Sequence, residues 1–167
     1  KHRGMVYLRL TRADTPIIYK ENEQFPIGGS RVIKHSAHDA VTIIAAGITL
    51  HEALAAYEEL KKENIYIRVI DLYSIKPLDE KTLVKAAKET GAIFTVEDHY
   101  PEGGMGEAVA AALIPLLVGE GLGGVTVRSL AVRKMPRSGK MQELLDYEEI
   151  SKKNIINTVK IWLNKHK

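Results

Sequence analysis

A repeated pairing constrains this chain most: short, wholly apolar runs rich in β-branched residues, each followed by a helix start. Val41–Ala46 reads Val-Thr-Ile-Ile-Ala-Ala and stops at Gly47. A strand wet on one face would alternate polar and apolar residues, so an unbroken run fits a strand buried on both faces. Behind it Leu50, Ala53, Leu54, Tyr57 and Leu60 recur at helical spacing, with Glu58, Glu59, Lys61 and Lys62 suited to the wet face. Thr49-Leu50-His51-Glu52 has the form of a capping box for that helix. The cycle then repeats. A strand at Tyr66–Leu72 precedes a helix opening at Pro77 and Asp79 and closing at Gly91. A strand at Ala92–Val96 precedes a helix from about Met105 to Val118, which Pro115 is expected to bend or end early. Glycines 119, 121, 123 and 124 read as a turn before a strand at Val125–Val132. A short helix near Met141–Leu145, capped at Ser138, and a last helix from Ser151 complete the pattern. Strands separated by single helices imply right-handed crossovers and a three-layer α/β/α fold around a mostly parallel, partly mixed sheet.

The first 40 residues follow another rule. Met5–Leu10 alternates like a strand, and Thr11-Arg12-Ala13-Asp14-Thr15-Pro16 breaks it with polar residues. Arg31–Lys34 reads as a strand running antiparallel to its neighbour. Gly4–Leu10 has no helix beside it and reads as a strand cut out of something larger. Residues 1–16 are therefore expected to be a terminal strand and linker from a preceding domain, and 17–167 the α/β domain itself.

Composition excludes several function classes. The 24 basic residues exceed the 21 acidic ones by only three and are spread along the chain, unlike the clustered footprint of a nucleic-acid binder. With no cysteine, disulfides and thiolate zinc sites are out, and a cytoplasmic location is expected. No apolar run reaches the roughly 18–20 residues that a membrane span needs. The six histidines show no metal-ligand spacing, and no metal site is expected.

The chemistry concentrates after Ala92–Val96, where Glu97, Asp98 and His99 precede Pro101-Glu102-Gly103-Gly104-Met105-Gly106. In α/β folds ligand-facing groups sit at such strand ends, and the N–H groups of a glycine-rich helix start can hold an anion. A carboxylate beside an imidazole also suits acid–base work. Against this, neighbouring strand residues point to opposite faces, so the three side chains need not converge. Gly104-Met105-Gly106 lacks the third glycine of a dinucleotide fingerprint, because Val109 holds that place. Close helix–strand packing explains those glycines better. Arg137-Ser138-Gly139-Lys140 departs from a phosphate loop at Met141 and reads as a polar loop with Arg137 open to an ion pair. Arg12 has the planar fork that clamps a phosphate, although a lone arginine after a strand is more commonly a surface ion pair.

These pieces agree in order and spacing with one family. Tyr7-Leu8-Arg9-Leu10-Thr11-Arg12, Ile17-Ile18-Tyr19, Ala46-Gly47-Ile48-Thr49-Leu50-His51-Glu52-Ala53-Leu54, Ile75-Lys76-Pro77-Leu78-Asp79, Thr95-Val96-Glu97-Asp98-His99-Tyr100, Glu102-Gly103-Gly104-Met105-Gly106-Glu107-Ala108-Val109 and Pro136-Arg137-Ser138-Gly139-Lys140 resemble the C-terminal portion of transketolase. The resemblance implies a parent enzyme that moves a two-carbon ketol unit between sugar phosphates, using thiamine diphosphate with Mg or Ca. It implies a homodimer whose cofactor lies between other domains. This chain is then expected to bind no cofactor, to be inactive alone, and to pack against the remaining transketolase domains or a partner subunit. Met5–Leu10 becomes the closing strand of the preceding pyrimidine-binding domain. Arg12 resembles the family arginine that contacts the substrate phosphate, although Ala13 departs from the proline common in animal relatives. Glu97, Asp98, His99, Gly104 and Arg137 are expected at an interface or secondary site. The competing expectation is a stand-alone module binding a nucleotide or anion at the strand tips, and behind it an independent enzyme using Asp98 and His99.

Overall fold

A computed structural model describes residues 2–11, 14–118 and 125–166 of the chain. Five strands, β1 (Arg31–Lys34), β2 (Thr42–Ala45), β3 (Arg68–Asp71), β4 (Ala92–Val96) and β5 (Thr126–Leu130), form one sheet in the order β1-β3-β2-β4-β5. The helices are α1 (Ile48–Lys62), α2 (Glu80–Thr90), α3 (Met105–Val118), α4 (Met141–Tyr147) and α5 (Lys152–Lys165). The strands β3, β2, β4 and β5 run parallel, and β1 joins β3 antiparallel. The sheet is therefore mixed, as the spacing predicts, although β1 pairs with β3 and not with its chain neighbour β2.

The unbroken apolar runs have a simple cause. Ile43, Val69 and Phe94 point to one face, where they pack with Ala53, Leu60, Ile155 and Val159 of α1 and α5. Their neighbours Ile44, Ile70 and Ile93 point to the other, against Leu83, Ala87, Val109 and Leu113 of α2 and α3. Each central strand thus feeds two cores, which keeps the middle of each strand apolar on both faces. Phe94 also meets the Trp162 ring edge-on at 6.3 Å, tying α5 to the middle of the sheet.

Several helix ends differ from expectation. Gly47, with φ 60°, takes the N-cap of α1, so the helix opens at Ile48 and the capping box does not form. The Thr49 hydroxyl instead donates to the Val96 carbonyl at 2.7 Å, and Glu52 accepts from the Lys152 amide at 2.5 Å, at the start of α5. Pro115 does not end α3, which continues to Val118. Lys140, not Ser138, is the N-cap of α4, and Glu143 accepts from its amide. Met5–Leu10 takes no place in the sheet. A strand needs a partner's amides, β1 and β5 leave their outer edges unshared with it, and Met5, Val6, Tyr7, Leu8 and Leu10 are exposed. The turn expected at residues 119–124 lies outside the described residues. Elsewhere the local signals hold. Gly91 closes α2 with φ 66°, and Asp79 caps its start by accepting from the Thr82 amide at 3.2 Å.

Asp79 also accepts from the Ser30 hydroxyl at 2.8 Å, joining the approach to β1 with α2. Burial pushes its carboxyl up, but the bonds from Thr82 and Ser30 outweigh that and hold it below the usual range. A depressed folded value contributes stability above the unfolded value of 3.8, and that contribution is lost as pH falls through the folded value. Asp79→Ala is expected to cost about 1 kcal/mol at neutral pH. Urea melts should show that cost shrinking toward acid pH, and a pH-independent cost would exclude the linkage.

Candidate functional site

Strand order reverses at β2, which lies between β3 and β4, so the carboxyl ends of β2 and β4 flank the topological switch point where α/β folds bind ligands. Glu97 follows β4 directly there and is buried, at 5% exposure. Its carboxylate turns toward α3, accepting from the Met105 amide at 2.6 Å through Oε2 and from the Gly106 amide at 2.9 Å through Oε1. These are two of the unpaired donors at the helix start, and they lie at the positive end of its dipole. The chain's own carboxylate therefore takes the place an external anion would need.

The glycines follow from this contact. A Cβ on Gly104 would run into Glu97 Oε2 and the Tyr100 carbonyl. One on Gly106 would lie 2.8 Å from Glu97 Oε1 and Thr95 Oγ1, and 2.9 Å from Ser129 Oγ. Burial pushes the Glu97 carboxyl above the usual carboxylate range, against the opposing pull of its two amide bonds.

Asp98 and His99 turn elsewhere. Asp98 meets Arg9, whose Nη2 donates to the Asp98 carbonyl at 2.8 Å and lies 3.2 Å from its Oδ2. His99 Nδ1 bonds the Tyr100 carbonyl at 2.7 Å, and the His99 carbonyl accepts from the Val132 amide at 2.9 Å. Both line a groove of about 470 Å³ with Arg9, Pro136, Arg137 and Glu148. The Arg137 guanidinium stacks 3.6 Å from the Tyr147 ring centroid. The structure thus groups Asp98, His99 and Arg137 at the surface and puts Glu97 with Gly104 in the interior. Asp98 and His99 share the groove without a hydrogen bond between their side chains, so the acid–base pair is not assembled. Arg12 lies outside the described residues.

One cluster escaped sequence reasoning. The Tyr19 hydroxyl donates to Asp71 Oδ2 at the carboxyl end of β3. Asp71 is 5% exposed, and burial pushes its carboxyl up against the pull of Tyr19, Arg31 and His51. Burial likewise pushes the Tyr19 hydroxyl up, and the bond to Asp71 adds to it. The His51 imidazole is shifted down, because burial outweighs the Asp71 and Glu52 carboxylates. Phe25 stands edge-on to both Tyr19, at 4.7 Å, and Tyr73, at 5.0 Å, while Arg31 covers Tyr19 and Phe25 at 5.4 and 5.2 Å. The available signal was Asp71 itself, a lone carboxylate within the apolar run Val69-Ile70-Asp71-Leu72.

A diphosphate needs free anion donors, and its divalent cation needs oxygen ligands beside them. The donors at the start of α3 are engaged by Glu97. Among the described residues, no group of three His, Cys, Asp or Glu side chains is placed to hold a metal ion. The start of α3 is thus closed to a diphosphate. Among the described residues, too, no helix is long and apolar enough to cross a membrane.

Glu97→Ala would strand two buried amides and is expected to cost about 2–4 kcal/mol. Gly106→Ala, forced against three oxygens, is expected to cost about 1–3 kcal/mol. Equilibrium unfolding checks both, and losses within about 0.5 kcal/mol of zero would show that the contact carries no weight.

A family model described as "Transketolase, C-terminal domain" matches residues 29–155. "Transketolase-like protein 2" of Mus musculus is 54% identical over 161 residues, spanning 95% of this chain and 24% of that protein. "Transketolase" of Homo sapiens is 49% identical over 159 residues, spanning 95% and 25%. The chain thus covers about a quarter of the length of the curated relatives it matches. A solved structure described as "Split gene transketolase, inactive beta4 tetramer" superposes with a TM-score of 0.78 at 32% identity, covering 89% of this chain and 46% of that one. Transketolase from Campylobacter jejuni shares the fold, with a TM-score of 0.54 at 17% identity over 79% of this chain and 18% of the other. The match covers most of the α/β domain and the relatives align across nearly all of the chain, so this chain belongs to the transketolase C-terminal domain family.

Proposed function

We propose that this chain is the C-terminal portion of a transketolase that transfers a two-carbon ketol unit between sugar phosphates with thiamine diphosphate. Its own part is to pack against the remaining domains or a partner subunit and to contact the substrate phosphate through Arg12. One observation carries the reading: the chain aligns along almost its whole length with about a quarter of full transketolases. The exposed apolar side chains of Met5, Val6, Tyr7, Leu8 and Leu10 suit a segment that docks on another body. The solved split-gene transketolase, an inactive beta4 tetramer, supports assembly from separate pieces, and a homodimer is the state this reading assigns to the whole enzyme. A stand-alone anion module is disfavoured, because Glu97 already occupies the amides at the start of α3. In this reading Arg12 orients substrate: a guanidinium meets a phosphate with two parallel charge-assisted bonds and moves no proton. The cytoplasm is the compartment this reading assigns.

The isolated chain, given thiamine diphosphate, a divalent cation and a ketose phosphate, is expected to show no turnover. Measurable transfer would overturn the division of labour. In the whole enzyme Arg12→Ala is expected to raise KM for phosphorylated sugars by roughly 10–100-fold, the equivalent of about 1.5–3 kcal/mol for a lost charged bond. Unphosphorylated sugars should be nearly unaffected, and equal effects on both would exclude the phosphate contact.

A further inference from the structure

The sheet face covered by α2 and α3 also holds a cavity that the transferase reading does not use. Its volume is about 650 Å³, within the range of about 300–1,000 Å³ typical of small-ligand sites. The floor is apolar: Val32 of β1 and Ile70 of β3 are cross-strand partners, and Ala86 of α2 joins them. Thr82, Lys85, Ala86 and Glu89 recur at helical spacing, so one side of α2 makes a wall. The amino edge of the sheet makes the other, with Arg68 at the start of β3 and His35 and Asp39 in the loop from β1 to β2. Asp71 and Glu97 lie at the opposite, carboxyl edge.

Two carboxylates share the Arg68 guanidinium, and they are unlike. Asp39 is the inner one. Its side chain is 2% exposed, it lies 3.3 Å from Arg68 Nε, and it accepts from the Ser36 amide at 3.0 Å and the Ser36 hydroxyl at 2.8 Å. Glu89 is the outer one, 42% exposed, and accepts from Arg68 Nη1 at 2.5 Å. Lys85 Nζ approaches the same carboxylate to 3.9 Å. The Glu89 carboxyl is held below the usual range chiefly by the bond from Arg68, and the charges of Arg68, Lys85 and His35 add to that pull against partial burial. Among the described residues, Arg68 bonds through Nε and Nη1, and its Nη2 has no partner. Arg68, Lys85 and His35 thus act on one oxyanion, and the one they hold sits on an exposed, movable side chain.

We propose that this cavity binds a small phosphomonoester, whose phosphate displaces the Glu89 carboxylate from Arg68 and Lys85 while its carbon body rests on Val32, Ile70 and Ala86. A carboxylic acid would only exchange one single charge for another that is already attached to the chain. A phosphomonoester carries a charge of about −1.5 to −2 and three acceptor oxygens, so it out-competes a resident carboxylate. Asp39 keeps the guanidinium in place when Glu89 swings away, and a donor fixed beforehand loses little freedom on binding. The released Glu89 stays close by, and its repulsion keeps the affinity modest. The site stands on the amino edge, away from the strand tips where α/β folds place their chemistry, so its ligand acts as an effector. It draws on this chain's own residues and is independent of the transferase reading.

The test follows amide hydrogen exchange over residues 35–41 and 82–91 of the full-length protein during titration with glycerol 3-phosphate, with ionic strength held by KCl. Protection is expected, half-maximal on the order of 1–10 mM. Acetate over the same range is expected to give none. Glu89→Gln removes the competing charge and should lower the midpoint about twofold to fivefold, and Lys85→Gln should raise it by a similar factor. Arg68→Gln would strand the buried Asp39, so the test relies on these two substitutions on the outer side of α2. A purely structural ion pair predicts faster exchange in Glu89→Gln with no gain in phosphate affinity, and that result would overturn the proposal. So would the absence of protection at about 20 mM, equal protection by acetate, or an unchanged midpoint in either variant.

Discussion

Two hydrogen bonds from the start of α3 to the Glu97 carboxylate hold the centre of this domain together. They join the end of β4, a central strand, to the helix that covers half of one sheet face. Because the carboxylate is buried, the bonds are short-range and shielded from solvent, and removing either partner would leave the other unsatisfied. The surrounding sequence is shaped by this contact. Gly104 and Gly106 leave room for it, and Asp98, at the bend that follows Glu97, reaches the surface where Arg9 meets it.

The other strand ends are knotted to the same edge. Thr49, at the start of α1, donates to the Val96 carbonyl, so the loop after β2 is tied to the end of β4. Asp71 receives Tyr19 at the end of β3. Charge that would otherwise face a ligand along this edge is spent on internal bonds. That is why a stretch with the look of a catalytic centre in sequence resolves into one structural carboxylate and one surface groove.

Much of the fold was legible in the sequence. The unbroken apolar runs marked the central strands to within a residue or two, and Asp79 and Gly91 marked the two ends of α2 because capping is a local matter. What could not be read were the partnerships between distant residues. Glu52 had the spacing of a local cap, yet it serves the amide of Lys152, 100 residues on. Tyr19 and Asp71 lie 52 residues apart, and nothing in either neighbourhood announces the other. Of the candidate site, the residues were named correctly as a stretch, but their division between interior and surface depended on the turn after Val96.

The position of β1 has a further bearing on how this unit behaves as a body. All five strands come from residues 31–130, and the sheet ladder draws on nothing earlier in the chain. The antiparallel β1 lies along one margin and carries Arg31 and Lys34, while Arg128 sits on β5 at the opposite margin. Charged margins discourage further strands from joining. A break in the polypeptide ahead of residue 31 would sever no sheet hydrogen bond and expose no new edge. The ladder is thus independent of the chain ahead of it, and that stretch is held to the domain by side chains instead, through Tyr19 on Asp71 and Ser30 on Asp79.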